Sequence, residues 1–307
     1  MKDVTEKPET RRHAVAEAFV ATSPDGLDLL KRGATEKGDA LEVARVAGIM
    51  AAKNTSDILP FCHPLPITHA EIRYDFRDDG VRVEATATCI GPTGVEMEAL
   101  TAANVAALTI YDMLKPHTPD IEIKSTRLVE KTGGKNDYRD VLDPPVKSAV
   151  LVLSDNVSAG KKEDRAGKAV MEILDGEPSV ENAHYDIIPD DPEQLTAKVK
   201  GYVNEGIDLV LTVGGTGLAD TDLTVETVEP LLDREIPGVM EAARTYGQRR
   251  MPYAMLSRGV AGTIDDTLVV TLPGSTGGAK ESCQALFPAL LHVFFVMRKL
   301  AHAHGYE

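Results

Sequence analysis

Asp143, Pro144 and Pro145 stand in a row near the middle of a 307-residue chain, and the hydrophobic rhythm differs on either side of them. Two adjacent prolines fix an extended backbone and remove two amide donors, so no helix or central strand runs through this point. A chain of this length is expected to form two domains, each with its own core. The reading is a first domain over 1–140, a Pro-rich linker over 141–147 and a second domain over 148–307.

Apolar residues of the first half recur at helical spacing over 27–31, 39–53 and 95–114, with Asp39 placed to cap the second helix. Residues 67–76 and 81–90 read as strands of a hairpin turned at Asp78, Asp79 and Gly80, and 121–129 as another strand. This predicts an α+β domain, an antiparallel sheet with helices on one face, of ferredoxin-like type. The second half alternates apolar strands (149–153, 184–188, 208–213, 268–272) with helices at 165–174 and 192–204. Ser275 or Thr276 is expected to cap a long last helix reaching about Leu300. That alternation predicts an α/β fold with a doubly wound, mostly parallel sheet, whose ligands bind beyond the carboxyl ends of the strands.

Residues 92–115 carry the densest functional signal. Their helical pattern runs from Val95 until Pro116, punctuated by Glu96, Glu98, Asp112 and Lys115. At ~100° per residue Glu98 and Asp112 share a face, but at ~1.5 Å per residue they lie roughly 21 Å apart along the axis. Asp112 and Lys115, three apart, are neighbours. One small substrate does not reach from Glu98 to Asp112. Either the two serve different roles, or a second copy of the chain completes each site. For the helix alone, a salt bridge at each end explains the charges as well. Upstream, prolines frame a rigid loop presenting Phe61, Cys62 and His63. Singly, His63 reads as a loop histidine, Cys62 as a small buried residue and Met97 as core filler. Downstream, KTGGK sets Lys131 and Lys135 about a glycine pair.

Together, ETRRHAVAEAF with Arg12, EKGD with Lys37, DILPFCHPLP, IYDMLK and KTGGK resemble cyclic pyranopterin monophosphate synthases, the MoaC family of molybdenum cofactor biosynthesis. The resemblance covers about residues 3–140. It implies conversion of 3′,8-cyclo-7,8-dihydroguanosine triphosphate into cyclic pyranopterin monophosphate and pyrophosphate, with no cofactor. It implies Asp112, Lys37 and Lys115 as catalytic residues and Arg12 as a phosphate contact. Phe61, Cys62, His63, Met97, Glu98, Lys131 and Lys135 become substrate contacts. The residue types suit this chemistry: a triphosphate needs Lys and Arg charge, and ring rebuilding needs proton transfers. Two lysines brought together would lower each other's pKa, giving a general acid near neutrality.

In the second half, VLTVGGTGLADTDLT places Gly214, Gly215, Thr216 and Gly217 directly after a strand, and LPGSTGG places Pro273, Gly274 and Ser275 before a helix. Such loops and helix N-termini suit phosphates. A tight turn alone also explains the glycines. Asp222 reads equally as an N-cap before Thr224, and Asp190 as a turn residue. GGTG, DLT and LPGS together resemble the MogA/MoaB family of molybdopterin adenylyltransferase domains, over about residues 147–300. The resemblance implies transfer of AMP from Mg-ATP to the molybdopterin phosphate. Asp190 and Asp222 become catalytic carboxylates holding Mg²⁺, and the two loops bind substrate. Asn156 and Thr221 stand where arginine is common, so a non-catalytic pterin-binding or oligomerisation module is the second reading.

The three cysteines, Cys62, Cys89 and Cys283, have no ligand-like spacing, which excludes a disulfide framework and points to a cytoplasmic protein. The first residues are charged, unlike a signal peptide, and the apolar stretch 286–297 is too short for a bilayer and reads as a core helix. A net charge of −15 argues against nucleic acid and confines polyanion binding to local basic pockets. The expected partners are small pterins and nucleotides, no membrane, and further copies of the chain. The resemblances imply a homo-oligomer, a dimer or hexamer through the first half and a trimer through the second.

Overall fold

The computed structural model describes residues 1–300; residues 301–307, assigned above to the second domain, lie outside the described residues. The chain forms two compact units, Met1–Asp137 and a second beginning at Tyr138.

In the first unit the chain runs β1 (Thr10–Thr22), α1 (Pro24–Arg32), α2 (Ala40–Lys53), α3 (Thr55–Ile58), β2 (Ile67–Arg77), β3 (Gly80–Gly91), α4 (Glu96–Leu114) and β4 (Ile121–Thr132). The sheet order is β2-β3-β1-β4, every pair antiparallel, which is the ferredoxin-like arrangement. Asp39 caps α2, accepting from the amides of Leu41 and Glu42. The central strand β1 is the element missing from the sequence reading. Its buried face is Ala14, Ala16, Ala18 and Val20. Alanine is depleted in strands, so the alternation is there but the strand propensity is weak. The alanines have a packing role: Ala14 faces Ala87 and Ala16 faces Ala85 on β3, and the same core takes Ala99, Ala103 and Ala106 from α4. Small side chains on both layers let the helix lie close on the sheet.

The second unit runs β5 (Val146–Leu153), α5 (Asp155–Ser158), α6 (Ala166–Asp175), β6 (Val180–Ile188), α7 (Pro192–Asn204), β7 (Leu209–Val213), α8 (Thr224–Val228), β8 (Arg234–Glu235), α9 (Pro237–Gln248), β9 (Ala261–Ile264), β10 (Thr267–Leu272), α10 (Thr276–Leu286) and α11 (His292–Met297). The sheet order is β6-β5-β7-β10-β9-β8. The first four strands are parallel, and β9 and β8 extend one edge antiparallel. The helices cover both faces: α6, α9 and α10 enclose one core, and α7 with α8 the other. The chain leaves β5 to β6 on one side and returns to β7 on the other, so the crevice of a doubly wound sheet opens at the ends of β5 and β7.

Two expectations change. The last helix is not continuous: α10 ends at Leu286, Phe287 is extended, and a 3₁₀ turn at Ala289–Leu291 precedes α11. Pro288 keeps the residue before it out of the helical region, so 286–297 is not one core helix. The stretch 141–147 is not strung out as a spacer either. Leu142 enters the core of the second unit, its amide bonded to the Ser179 hydroxyl, and β5 already begins at Val146. No helix among the described residues is long and apolar enough to cross a membrane.

Candidate active sites

Lys37, Asp112 and Lys115 form one constellation. A tight turn, closed by the Thr35 hydroxyl on the Gly38 carbonyl, carries Lys37 to the last turn of α4. The Asp112 carboxylate holds one ammonium on each oxygen, Lys37 on Oδ2 and Lys115 on Oδ1, both at 2.7 Å. All three side chains are about half exposed (47, 51 and 54%), so a ligand reaches them from solvent. Lys115, then Lys37, pull the Asp112 carboxyl down to about 2. The carboxylate in turn raises the Lys115 ammonium above its ordinary range. This corrects the expectation of a mutually depressed lysine pair: an anion between the ammonium groups reverses the shift on Lys115. The Asp112 carboxyl is expected to titrate near 2 in ¹³C NMR and, in Lys115→Ala, to move up towards the ordinary 3.8, because the removed ammonium stabilises only the ionised form. An unchanged midpoint would show that Lys115 does not reach it.

The other sequence-predicted groups of this unit gather at the opposite end of α4. Glu98 is buried (3% exposed), and burial raises its carboxyl. The Cys62 and Cys89 thiols are raised by burial first and by Glu98 second, so both lie within its field. Arg12, nearly buried on β1, donates from Nε to Gly91 O at 3.1 Å and from Nη2 to Pro92 O at 3.2 Å. Its third nitrogen faces Gly134. Gly133 has φ +93, and a Cβ there would strike Arg11 O at 1.8 Å, so only glycine fits. The Asp137 carboxylate accepts from both Gly133 and Gly134 amides, shaping the loop. Lys131 pairs with Glu96 at 3.2 Å, and Lys135 opens a 3₁₀ turn. Phe61 and Met97 are exposed apolar groups, and His63 lies close enough to act on Asp3. Within one chain, then, the candidates form two clusters at opposite ends of α4.

In the second unit the strand ends converge as expected. Ser154 follows β5, Asp190 follows β6, Gly214 follows β7 and Pro273 follows β10; the Gly214 amide bonds Leu272 O. Gly214 and Gly215 have φ +119 and +64, which side chains rarely adopt. A cleft of about 650 Å³ is lined by Gly215, Thr216, Gly217, Asp222, Pro273, Gly274 and Ser275 on one side and by α9 on the other. Ser275 caps α10 by accepting from the Gly278 amide. Asp190 does not line this cleft; it borders a small neighbouring recess with Thr221 and Thr224. Asp190 and Asp155 exchange backbone-to-carboxylate hydrogen bonds at 3.0 and 3.1 Å. Burial, then the charges of Asp155 and Asp222, hold the Asp190 carboxyl above its usual range. Asp222 is not a helix cap. Leu223 occupies that position without a side-chain bond, and Asp222 Oδ2 instead accepts from the Ala219 amide at 2.8 Å.

Sequence reasoning missed Asp155, whose only signal was its place at a strand end, and Arg258. Arg258 donates to Gly217 O at 2.7 Å and Asp222 O at 2.8 Å, and pairs with Glu226. It ties together the two ends of the loop that carries Asp222. No local pattern marks it, since its partners lie more than thirty residues away.

The sequence pattern of the MoaC family matches residues 1–134, and that described as a probable molybdopterin binding domain matches residues 149–292. A molybdenum cofactor biosynthesis bifunctional protein from Chlorobaculum tepidum is 41% identical over 99% of this chain and 96% of its own length. The chain belongs to this bifunctional family. A second bifunctional protein of that name, from Synechococcus elongatus, is 35% identical over 98% of each chain. A solved structure of the molybdopterin biosynthesis enzyme MoaB from a Thermus species is 42% identical, covers 50% of this chain and 97% of its own, and has a TM-score of 0.48. As a bifunctional molybdenum cofactor biosynthesis protein, the chain joins a MoaC domain, the first unit, to a MogA/MoaB-type domain, the second.

Proposed function

We propose that the first unit converts 3′,8-cyclo-7,8-dihydroguanosine triphosphate into cyclic pyranopterin monophosphate and pyrophosphate. The Lys37–Asp112–Lys115 constellation carries this reading. Two ammonium groups on one carboxylate offer positive charge to a triphosphate and to the departing pyrophosphate. Asp112 raises the Lys115 ammonium and touches both lysines, so it can exchange a proton with either. Glu98 lies at the opposite end of α4 from Asp112, roughly 21 Å along the axis at ~1.5 Å per residue, which supports sites shared between copies of the chain. Mixing inactive Glu98→Ala and Asp112→Ala proteins, with time for subunit exchange, is expected to restore part of the activity through hybrid sites. A mixture as inactive as its components, after exchange is demonstrated, would remove the shared site.

We propose further that the second unit adenylylates molybdopterin. The terminal phosphate oxygen of molybdopterin attacks the α-phosphorus of ATP, and the bond to the bridging oxygen breaks to release pyrophosphate. The two glycine loops share one cleft with Asp222, and Asp190, in the neighbouring recess, lies close enough to feel the Asp222 charge; this supports the reading. The carboxylates fit Mg²⁺: burial first, and the charges of Asp155 and Asp222 second, hold Asp190 above its usual range, and a cation beside it would relieve both. Among the described residues no three His, Cys, Asp or Glu side chains form a metal cage, so phosphate and water would complete the coordination, as Mg²⁺ prefers. When bound, Mg²⁺ neutralises charge on the transferring phosphate. Arg244 on the cleft wall supplies a cation in place of the arginines missing at Asn156 and Thr221. The test is purified full chain with molybdopterin and Mg-ATP: adenylylated molybdopterin and pyrophosphate are expected, and binding without product would leave the non-catalytic module.

A further inference from the structure

Glu281 stands on α10 and lines the large cleft of the second unit, opposite α9. One of its carboxylate oxygens lies 3.8 Å from where a Cβ on Gly247 would be. The side chain is half-buried, yet none of the described residues donates to it. On the facing wall Ala243 and Gly247 of α9 leave a small-sided stretch beside Met240 and Arg244, against which a flat ring can lie. Ser257 lines the same cleft with a buried hydroxyl that has no partner.

A half-buried carboxylate to which no described residue donates leaves its acceptor oxygens for a ligand. A ligand that brings N–H donors satisfies them. An ionised carboxylate only accepts hydrogen bonds, on two parallel oxygens. A 2-amino-4-oxo pyrimidine edge presents two N–H donors side by side and matches it. The adenine edge presents one donor beside one ring-nitrogen acceptor, and that acceptor meets the carboxylate lone pairs. We infer that Glu281 reads the 2-amino-pyrimidinone edge of the pterin and excludes adenine from that end of the cleft, with Ser257 available to donate to the 4-oxo group. The inference rests on the pterin ligand proposed above, and not on the transfer of AMP.

The test uses the full chain and two fluorescent probes without ATP, 6-carboxypterin and 6-carboxylumazine, which differ in the 2-amino against the 2-oxo group. Wild type is expected to bind the pterin about 10- to 100-fold more tightly than the lumazine, the worth of hydrogen bonds to a charged group. Glu281→Gln, which keeps size but can donate to a 2-oxo group, is expected to lose that preference while its affinity for Mg-ATP stays within about twofold. The first unit is identical in both proteins, so the difference reports the second. A preference retained in Glu281→Gln, or a loss of ATP affinity equal to the loss of pterin affinity, would overturn the assignment. Glu281→Asp checks folding and reach: it should keep the sign of the preference at lower affinity. If adenylylation is absent in wild type but the preference follows Glu281, only the transfer reading fails.

Discussion

Asp112→Asn is expected to lower cyclic pyranopterin monophosphate formation about 10²- to 10⁴-fold, the usual contribution of a placed proton-transfer group, and to leave the melting temperature almost unchanged. The stability half of this expectation follows from position. The Asp112 ion pairs are half exposed, and such pairs contribute little to folding. A carboxylate in the last turn of a helix also opposes the helix dipole, so α4 does not need it. The kinetic half follows from charge. Asparagine keeps the shape but neither takes a proton nor counters two ammonium groups. Lys37 and Lys115 then repel, and both their charge and their placement against the triphosphate suffer. Pyrophosphate release and a melting curve on one sample decide it. Wild-type turnover in a folded variant would reduce the constellation to a surface ion-pair cluster.

Much of this molecule was legible because its signals are local. Pro192 at a first helical position begins α7, and Asp78 with Asp79 makes the two-residue hairpin loop. Gly214 and Gly215 of the first glycine loop marked backbone that side chains rarely adopt. What stayed hidden depends on distant partners. Strand β1 is invisible because its inward residues are alanines, chosen by the helix that lies on them. The shift on Lys115 had the opposite sign to expectation, because a lysine's pKa depends on what lies between it and its neighbour. Arg258 and Glu281 acquire meaning only when α9, α10 and the glycine loops surround one cleft.

Asp222→Asn discriminates a structural from a chemical role with one atom. Its carboxylate accepts from the Ala219 amide, and Gly217 is close enough that a Cβ there would sit 2.6 Å from Asp222 Oδ2. The side chain therefore shapes its own loop, and a large-to-small change would confound loop collapse with lost chemistry. The asparagine amide oxygen can still accept from Ala219, and Arg258 still holds the Gly217 and Asp222 carbonyls, so the loop is expected to persist. The negative charge is lost. If Asp222 helps hold Mg²⁺ beside the transferring phosphate, adenylylation should fall on the order of 10²- to 10³-fold, with a higher Mg²⁺ requirement and little change in melting temperature. Molybdopterin affinity, which does not depend on that charge, should stay close to wild type. A folded Asp222→Asn protein that adenylylates at the wild-type rate would make Asp222 a loop-shaping residue and leave Asp190 and Asp155 to carry the metal.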